Sequence, residues 1–193
     1  MARFIRTEKC SSSSSAKTRK ICPPRNDFPR KLSALTAKVQ RVGLISDTHG
    51  LLRPEALDAL RGSDLILHAG DVGKPEILDE LRKVAPVVAI RGNVDTSPWA
   101  KKLKETELVE TAAATFYLIH NINELDLAPS AAGIHIVLFG HSHQPAQYEK
   151  DGVLYINPGS AGPRRFNLPI SLARIGLAAK PWSVDFITLK AAN

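Results

Sequence analysis

Short apolar, β-branched runs alternate with amphipathic stretches from residue 41 onward. Val42 to Ile45, Leu65 to Ala69 and Val87 to Ile90 each read as a buried strand. Between them, Arg53-Pro54 opens a helix whose apolar side holds Leu57 and Leu60, and Lys74-Pro75 opens a second with Ile77, Leu78, Leu81 and Val84 at helical spacing. Proline suits the first turn of a helix because its missing N–H would find no partner there anyway. Such alternation predicts parallel strands joined by right-handed helical crossovers. The second half reads differently: a weaker strand at Phe116 to Ile119, a polar connector through Leu125 and Pro129, and a strong strand at Ile134 to Phe139. Asp151-Gly152 separates Gln147 to Lys150 from Val153 to Ile156, which predicts a two-residue hairpin turn, and Ile170 to Ile175 and Val184 to Leu189 supply two more strands. The expected fold is a layered α/β domain with mixed strands.

Composition adds one boundary. The 193 residues and 44% hydrophobic content suit one domain with a substantial core. The net charge of +7 suggests nucleic acid or a membrane surface until it is located along the chain. Residues 1–40 carry ten Lys/Arg against Glu8 and Asp27, whereas residues 41–193 carry 16 Lys/Arg against 17 Asp/Glu. The front segment, which also holds Ser11 to Ser15, Cys10 and Cys22, is expected to be a disordered basic extension. An organellar transit peptide and a nucleic-acid arm are the alternatives; no aromatic residues interleave with its basic ones as a stacking surface requires. The domain is expected to span 41–193. It contains no cysteine, which points to a reducing, cytoplasmic compartment, and no run approaches the roughly 18 apolar residues of a spanning helix.

Chemistry enters at the strand ends. Asp47-Thr48-His49, Asp71, Asn93, His120 and His141-Ser142-His143 each directly follow an apolar run, and successive groups start 24, 22, 27 and 21 residues apart. In open α/β sheets the carboxyl ends of strands are where sites assemble, so these segments are expected to converge on one pocket. Carboxylates, imidazoles and an amide oxygen suit borderline ions such as Mn²⁺, Fe²⁺, Co²⁺, Ni²⁺ or Zn²⁺ better than Mg²⁺ or Ca²⁺, with Mn²⁺ the expected ion. Seven candidate ligands exceed the needs of one ion; two ions about 3.5–4 Å apart, sharing Asp71 and a deprotonated water, would use them. Such a site stays net positive and favours phosphoryl chemistry over peptide hydrolysis.

The ordered series Asp47-x-His49, Gly70-Asp71, Gly92-Asn93, His120 and Gly140-His141-x-His143 resembles the calcineurin-like metallophosphoesterase family. His68-Ala-Gly-Asp71, Gly92-Asn93-Val-Asp95 and Asn157-Pro-Gly-Ser160 are similar to its small bacterial and archaeal phosphodiesterase branch, over about Val42 to Leu189. That resemblance implies a four-layer α/β/β/α sandwich. It also implies one ion on Asp47, His49, Asp71 and His143, a second on Asp71, Asn93, His120 and His141, and a hydroxide shared by the two attacking a small phosphodiester.

Two departures stand out. Larger members carry a histidine after the Asn that is taken to stabilise the transition state or protonate the leaving group; Val94 stands there, leaving Asp95 or His68 as partial substitutes. The branch tends to have Gly after the fourth-motif histidine, where this chain has Asn121, and Glu110 to Thr115 lacks a Gly turn, so the second ion depends on the aim of His120. Other residues carry plainer expectations. His68 reads as structural, His135 as a surface histidine and Trp99 as a core aromatic, while Arg164 is the candidate phosphate contact from the loop after Asn157. The alternatives to a phosphodiesterase are a phosphomonoesterase and a non-catalytic scaffold, since the same fold serves as a retromer subunit. Neither membrane nor nucleic-acid partners are expected.

Overall fold

In the computed structural model, residues 39–165 and 167–190 are described. Residues 1–38 of the expected extension lie outside them. Val39 and Gln40 already belong to the domain: Val39 is buried in the core, and the Gln40 carbonyl accepts from the Leu177 N–H at 2.7 Å.

The first half builds β1 (Arg41–Ile45), α1 (Pro54–Leu60), β2 (Leu65–His68), α2 (Pro75–Arg82) and β3 (Val87–Ala89). Both helices begin at the expected prolines, and the residues before them, Arg53 and Lys74, are extended, as the proline ring demands of its predecessor. The second half adds β4 (Thr106–Glu110), β5 (Thr115–Ile119), β6 (Ile136–Leu138), β7 (Ala146–Lys150), β8 (Val153–Asn157), β9 (Ser171–Gly176) and β10 (Ser183–Thr188). Two five-stranded sheets result, ordered β10-β9-β1-β2-β3 and β4-β5-β6-β8-β7. In the first, β1, β2 and β3 run parallel; in the second, β5, β6 and β8 do. Asp151 and Gly152 close β7 onto β8 with φ of 52° and 75°, the left-handed pair a tight hairpin needs.

Alternate residues of the inner strands face opposite ways. Val42, Leu44, Leu65 and Leu67 meet Phe116, Leu118, Ile136, Leu138 and Ile156 between the sheets. Ile45 and Ile66 instead pack under Leu60, Ile77, Leu78 and Leu81 of the helices, where half-buried Trp99 also joins the core as expected. The outer face of the second sheet buries Ile119, Val137, Phe139 and Tyr155 beneath Ile122, Leu125 and Leu127. The chain is thus a four-layer sandwich whose last layer is a 3₁₀ turn at Ile122–Glu124 and its connector, because Asp126, Pro129 and Gly133 leave no run for a longer helix.

Strand β4 was not expected. Its hairpin with β5 turns without glycine: the Thr111 hydroxyl donates to the Ala114 carbonyl at 2.8 Å and accepts from the Ala113 and Ala114 N–H groups at 3.3 and 3.0 Å. His135 is half-buried rather than superficial. Its Nδ1 accepts from the Thr115 N–H at 3.2 Å and its ring stands edge-on to Trp182.

Candidate metal centre

The candidate ligands follow the carboxyl ends of five parallel strands, three from one sheet and two from the other. The loop after β1 is laced to the loop after β2: the Asp47, His49 and Gly50 N–H groups donate to the Gly70, Asp71 and Val72 carbonyls at 3.0, 2.9 and 2.8 Å. Asp47, His49, Asp71, His141 and His143 all have positive φ, from 46° to 69°. Non-glycine residues in this region are uncommon and cost of order 1–3 kcal/mol each, and such strain concentrates where side chains must converge.

Two glycines make the approach possible. A methyl group on Gly92 would land on the Asp71 carboxylate, and one on Gly140 would strike the Ser46 hydroxyl and the Asp47 carboxylate.

Asp47 is fully buried. Its Oδ2 accepts from the Ser46 hydroxyl at 2.6 Å and the His141 N–H at 3.2 Å, which leaves Oδ1 with no hydrogen-bond partner. That atom faces His143 Nε2 at 3.3 Å and His49 Nε2 at 3.8 Å, and the two Nε2 atoms are 3.2 Å apart. Asp71 Oδ1 accepts from the Val94 N–H at 2.9 Å, and its Oδ2 lies 3.4 Å from His120 Nε2 and 3.8 Å from His49 Nε2. His120 is aimed by its other nitrogen, where Nδ1–H donates to the Ala69 carbonyl at 2.7 Å; its Nε2 is buried and has no hydrogen-bond partner. Asn121 supports this without glycine: its φ is −106°, and its side chain caps the 3₁₀ turn through the Asn123 N–H.

Asp47, His49 and His143 form one metal-type group, and Asp47, Asp71 and His120 an overlapping one. Spacings of 3.2–3.8 Å between facing donors match the edges of a coordination shell with bonds of about 2.0–2.2 Å. With buried oxygen and nitrogen atoms left unpaired there, the residues fit a divalent cation. His141 is exposed with its ring edge-on to His120, 5.3 Å between centroids, and exposed Asn93 lines a groove that His120 also lines.

Electrostatics favour ligation at Asp71 and His49 and oppose it at His120. Burial would raise the Asp71 carboxyl, but the His120 ring and the Val94 N–H outweigh it and hold it at about 2. Burial lowers His49 below its ordinary value despite nearby Asp71, and the Arg165 guanidinium adds to the effect, so its ring stays neutral and free to bind. His120 is raised, because the Asp71 carboxylate and Ala69 carbonyl outweigh burial. A cation there competes with a proton.

Three sequence expectations change. Asp95 is no proton donor: it is 5% exposed, and its carboxylate accepts from the Val72, Gly73 and Gly92 N–H groups at 3.0, 2.8 and 2.9 Å, bracing two ligand loops together. His68 cannot donate to substrate either. It is fully buried, accepts from the Gly70 N–H at 3.2 Å and donates to the Thr48 hydroxyl at 3.0 Å, which donates onward to the Val72 carbonyl. Arg164 lines a surface hollow with Thr188 and Leu189, and its neighbour Arg165 is the guanidinium felt by His49. Arg165→Ala is accordingly expected to raise KM for a phosphate ester about tenfold, with Arg164→Ala close to unchanged in steady-state kinetics.

The Asn157 motif, read alone as an ordinary loop, is a support. Asn157 is fully buried and donates to the Gly140 carbonyl at 2.8 Å and the Ser142 hydroxyl at 3.0 Å, while Ser160 donates to the Asp47 carbonyl at 2.9 Å. Its polar residues at the end of an apolar strand were the available signal.

Burial holds His68 down from 6.5 to about 4. A depressed histidine contributes stability that is present above its unfolded value and is lost as the pH falls. Metal-free protein is therefore expected to lose about 3 kcal/mol between pH 6.5 and 4 through this residue. Thermal melts across that range should fall less steeply in His68→Gln.

Two facing sheets, with carboxylates and imidazoles gathered where their parallel strands end, define a domain of the metallophosphoesterase fold. More narrowly, the chain belongs to the calcineurin-like phosphoesterase family: residues 41–180 match the model of the calcineurin-like phosphoesterase superfamily domain. It is 37% identical over 131 residues to a probable metallophosphoesterase of Methanothermobacter thermautotrophicus, spanning 62% of this chain and 76% of that protein. It is 26% identical over 138 residues to a phosphodiesterase of Methanocaldococcus jannaschii, spanning 62% of this chain and 82% of that one. Among solved structures it is similar to an archaeal phosphodiesterase, with a TM-score of 0.65 and 22% identity over 76% of this chain and 99% of the other. It also resembles Vps29 of Entamoeba histolytica solved with Zn²⁺, with a TM-score of 0.59 and 21% identity over 77% and 98% of the two chains. The last two likenesses concern the fold. No helix among the described residues is long and apolar enough to cross a membrane.

Proposed function

We propose that this chain is a metal-dependent phosphodiesterase acting on small phosphodiesters, with two divalent ions, Mn²⁺ foremost. The observation that carries this reading is the pair of overlapping carboxylate–imidazole groups, in which the buried Asp47 Oδ1 and His120 Nε2 have no hydrogen-bond partner. Asp47, His49, Asp71 and His143 would hold one ion, and Asp71, Asn93, His120 and His141 the other. When bound, such ions acidify water to near neutrality and stabilise charge on phosphorus. The chain does the rest. Asp71 lies between the two histidine groups and is fixed by Val94 N–H. Asn93 and His141 are both exposed, within reach of solvent and substrate, and Arg165 brings a positive charge toward His49. No proton donor stands at Val94, which is 48% exposed. The departing alcohol must then take its proton from water, which favours good leaving groups.

The name of the Methanocaldococcus relative favours a diesterase over a monoesterase. The likeness to Vps29 fits a scaffold only at the level of fold. The cytoplasmic reading rests on the cysteine-free domain.

Full-length protein with Mn²⁺, Co²⁺, Ni²⁺ or Zn²⁺ is expected to turn over bis-p-nitrophenyl phosphate at least tenfold faster than p-nitrophenyl phosphate, and to lose both activities with chelator. Chelator-insensitive turnover, or none with any of these ions, would sink the proposal.

A further inference from the structure

Beside the second ligand group lies an open groove of about 460 Å³ that the chemistry above leaves unused. His120 and Asn93, both candidate ligands, are among its lining residues. A phosphodiester held at the ligand groups would therefore extend one ester arm into this space.

Its lining is also acidic. Glu105, Glu124 and Asp126 supply three carboxylates against the single guanidinium of Arg91. Arg91 is already paired with Glu105. Glu124 accepts only from the neutral Asn121 amide at 3.1 Å, and Asp126 has no hydrogen bond or ion pair among the described residues. The half-buried Tyr117 ring lies on the same lining. Neither Glu124 nor Asp126 joins a metal-type group of three or more ligands among the described residues. Uncompensated carboxylates around an aromatic ring recognise an extended organic cation. The volume falls in the range of small-molecule sites.

We propose that the groove receives a cationic ester arm, an amino or quaternary ammonium alcohol, so that the preferred substrates are phosphodiesters anionic at phosphorus and positive at one arm. This rests on the phosphodiesterase reading, and the experiment separates the two. The full-length chain would first be titrated with choline and with neohexyl alcohol, its uncharged carbon isostere, and followed by amide NMR. Next, kcat/KM with Mn²⁺ would be compared for the p-nitrophenyl phosphodiesters of the same two alcohols. Choline is expected to shift Thr106, Tyr117 and Asp126 where the isostere does not, and its ester to be preferred about tenfold. The exposed double substitution Glu124→Gln/Asp126→Asn should bring that ratio close to one. Equal turnover of the two esters by the unaltered protein, or a preference the double variant keeps, would overturn the proposal. Turnover of neither ester, with the choline shifts intact, would support the groove and overturn the phosphodiesterase reading.

Discussion

Asp71→Asn is expected to lower turnover of a phosphodiester by at least about a thousandfold while the protein still folds. The residue is 4% exposed and its backbone adopts φ of 55°. One oxygen is fixed by the Val94 N–H, and the other sits within 3.8 Å of both His49 and His120. An amide keeps the shape and accepts the Val94 hydrogen bond, yet it removes the carboxylate that both ions would share in the proposed arrangement. A thousandfold corresponds to about 4 kcal/mol of transition-state stabilisation, the scale expected of a carboxylate that two ions would share in the proposed site. Calorimetric titration should show weakened metal binding alongside the kinetic loss. Retained binding with retained activity would rule out a shared role for this carboxylate.

Asp95→Ala is expected to destabilise the domain by about 3 kcal/mol, lowering the melting temperature by roughly 10 °C, and to cut metal affinity and activity by up to about a hundredfold. Three N–H groups, buried on Val72 and half-buried on Gly73 and Gly92, would lose their acceptor together. The damage should be independent of the leaving group. A proton donor would behave oppositely: Asp95→Asn would keep its melting temperature and lose activity only on esters of poorly acidic alcohols. Differential scanning calorimetry with two substrates of different leaving group separates these roles.

The sequence was most legible where one physical demand acts on neighbouring residues. Strands such as Leu65–His68 are buried on both faces, so they read as unbroken apolar runs, and the candidate ligands stand directly after them. Legibility failed where a role depends on residues far apart in the chain. Thr106–Glu110 is an edge strand with Glu at two of five positions, so its polarity hid it. Thr111 replaces the glycine turn with a side-chain hydroxyl, which spacing alone does not announce. Asp95 carries the same carboxylate whether it delivers a proton or braces a loop; only its three N–H partners decide. Arg164 and Arg165 differ by one position, and the side of the loop each occupies is set by tertiary packing.

The order of strands in the first sheet bears on how the molecule is made. β1, which carries Asp47 and His49 at its end, is an interior strand between β2 and β9, and Arg41 pairs with Gly176 in that ladder. During synthesis β2 emerges soon after it, but one side of β1 stays bare until nearly the whole domain has left the ribosome. His120 and His143 reach the site from the other sheet, which must close over the first before they can face Asp47 and Asp71. On the proposed reading, the complete set of candidate ligands exists only after the last steps of maturation, and a nascent chain would offer a passing ion only fragments of the cage.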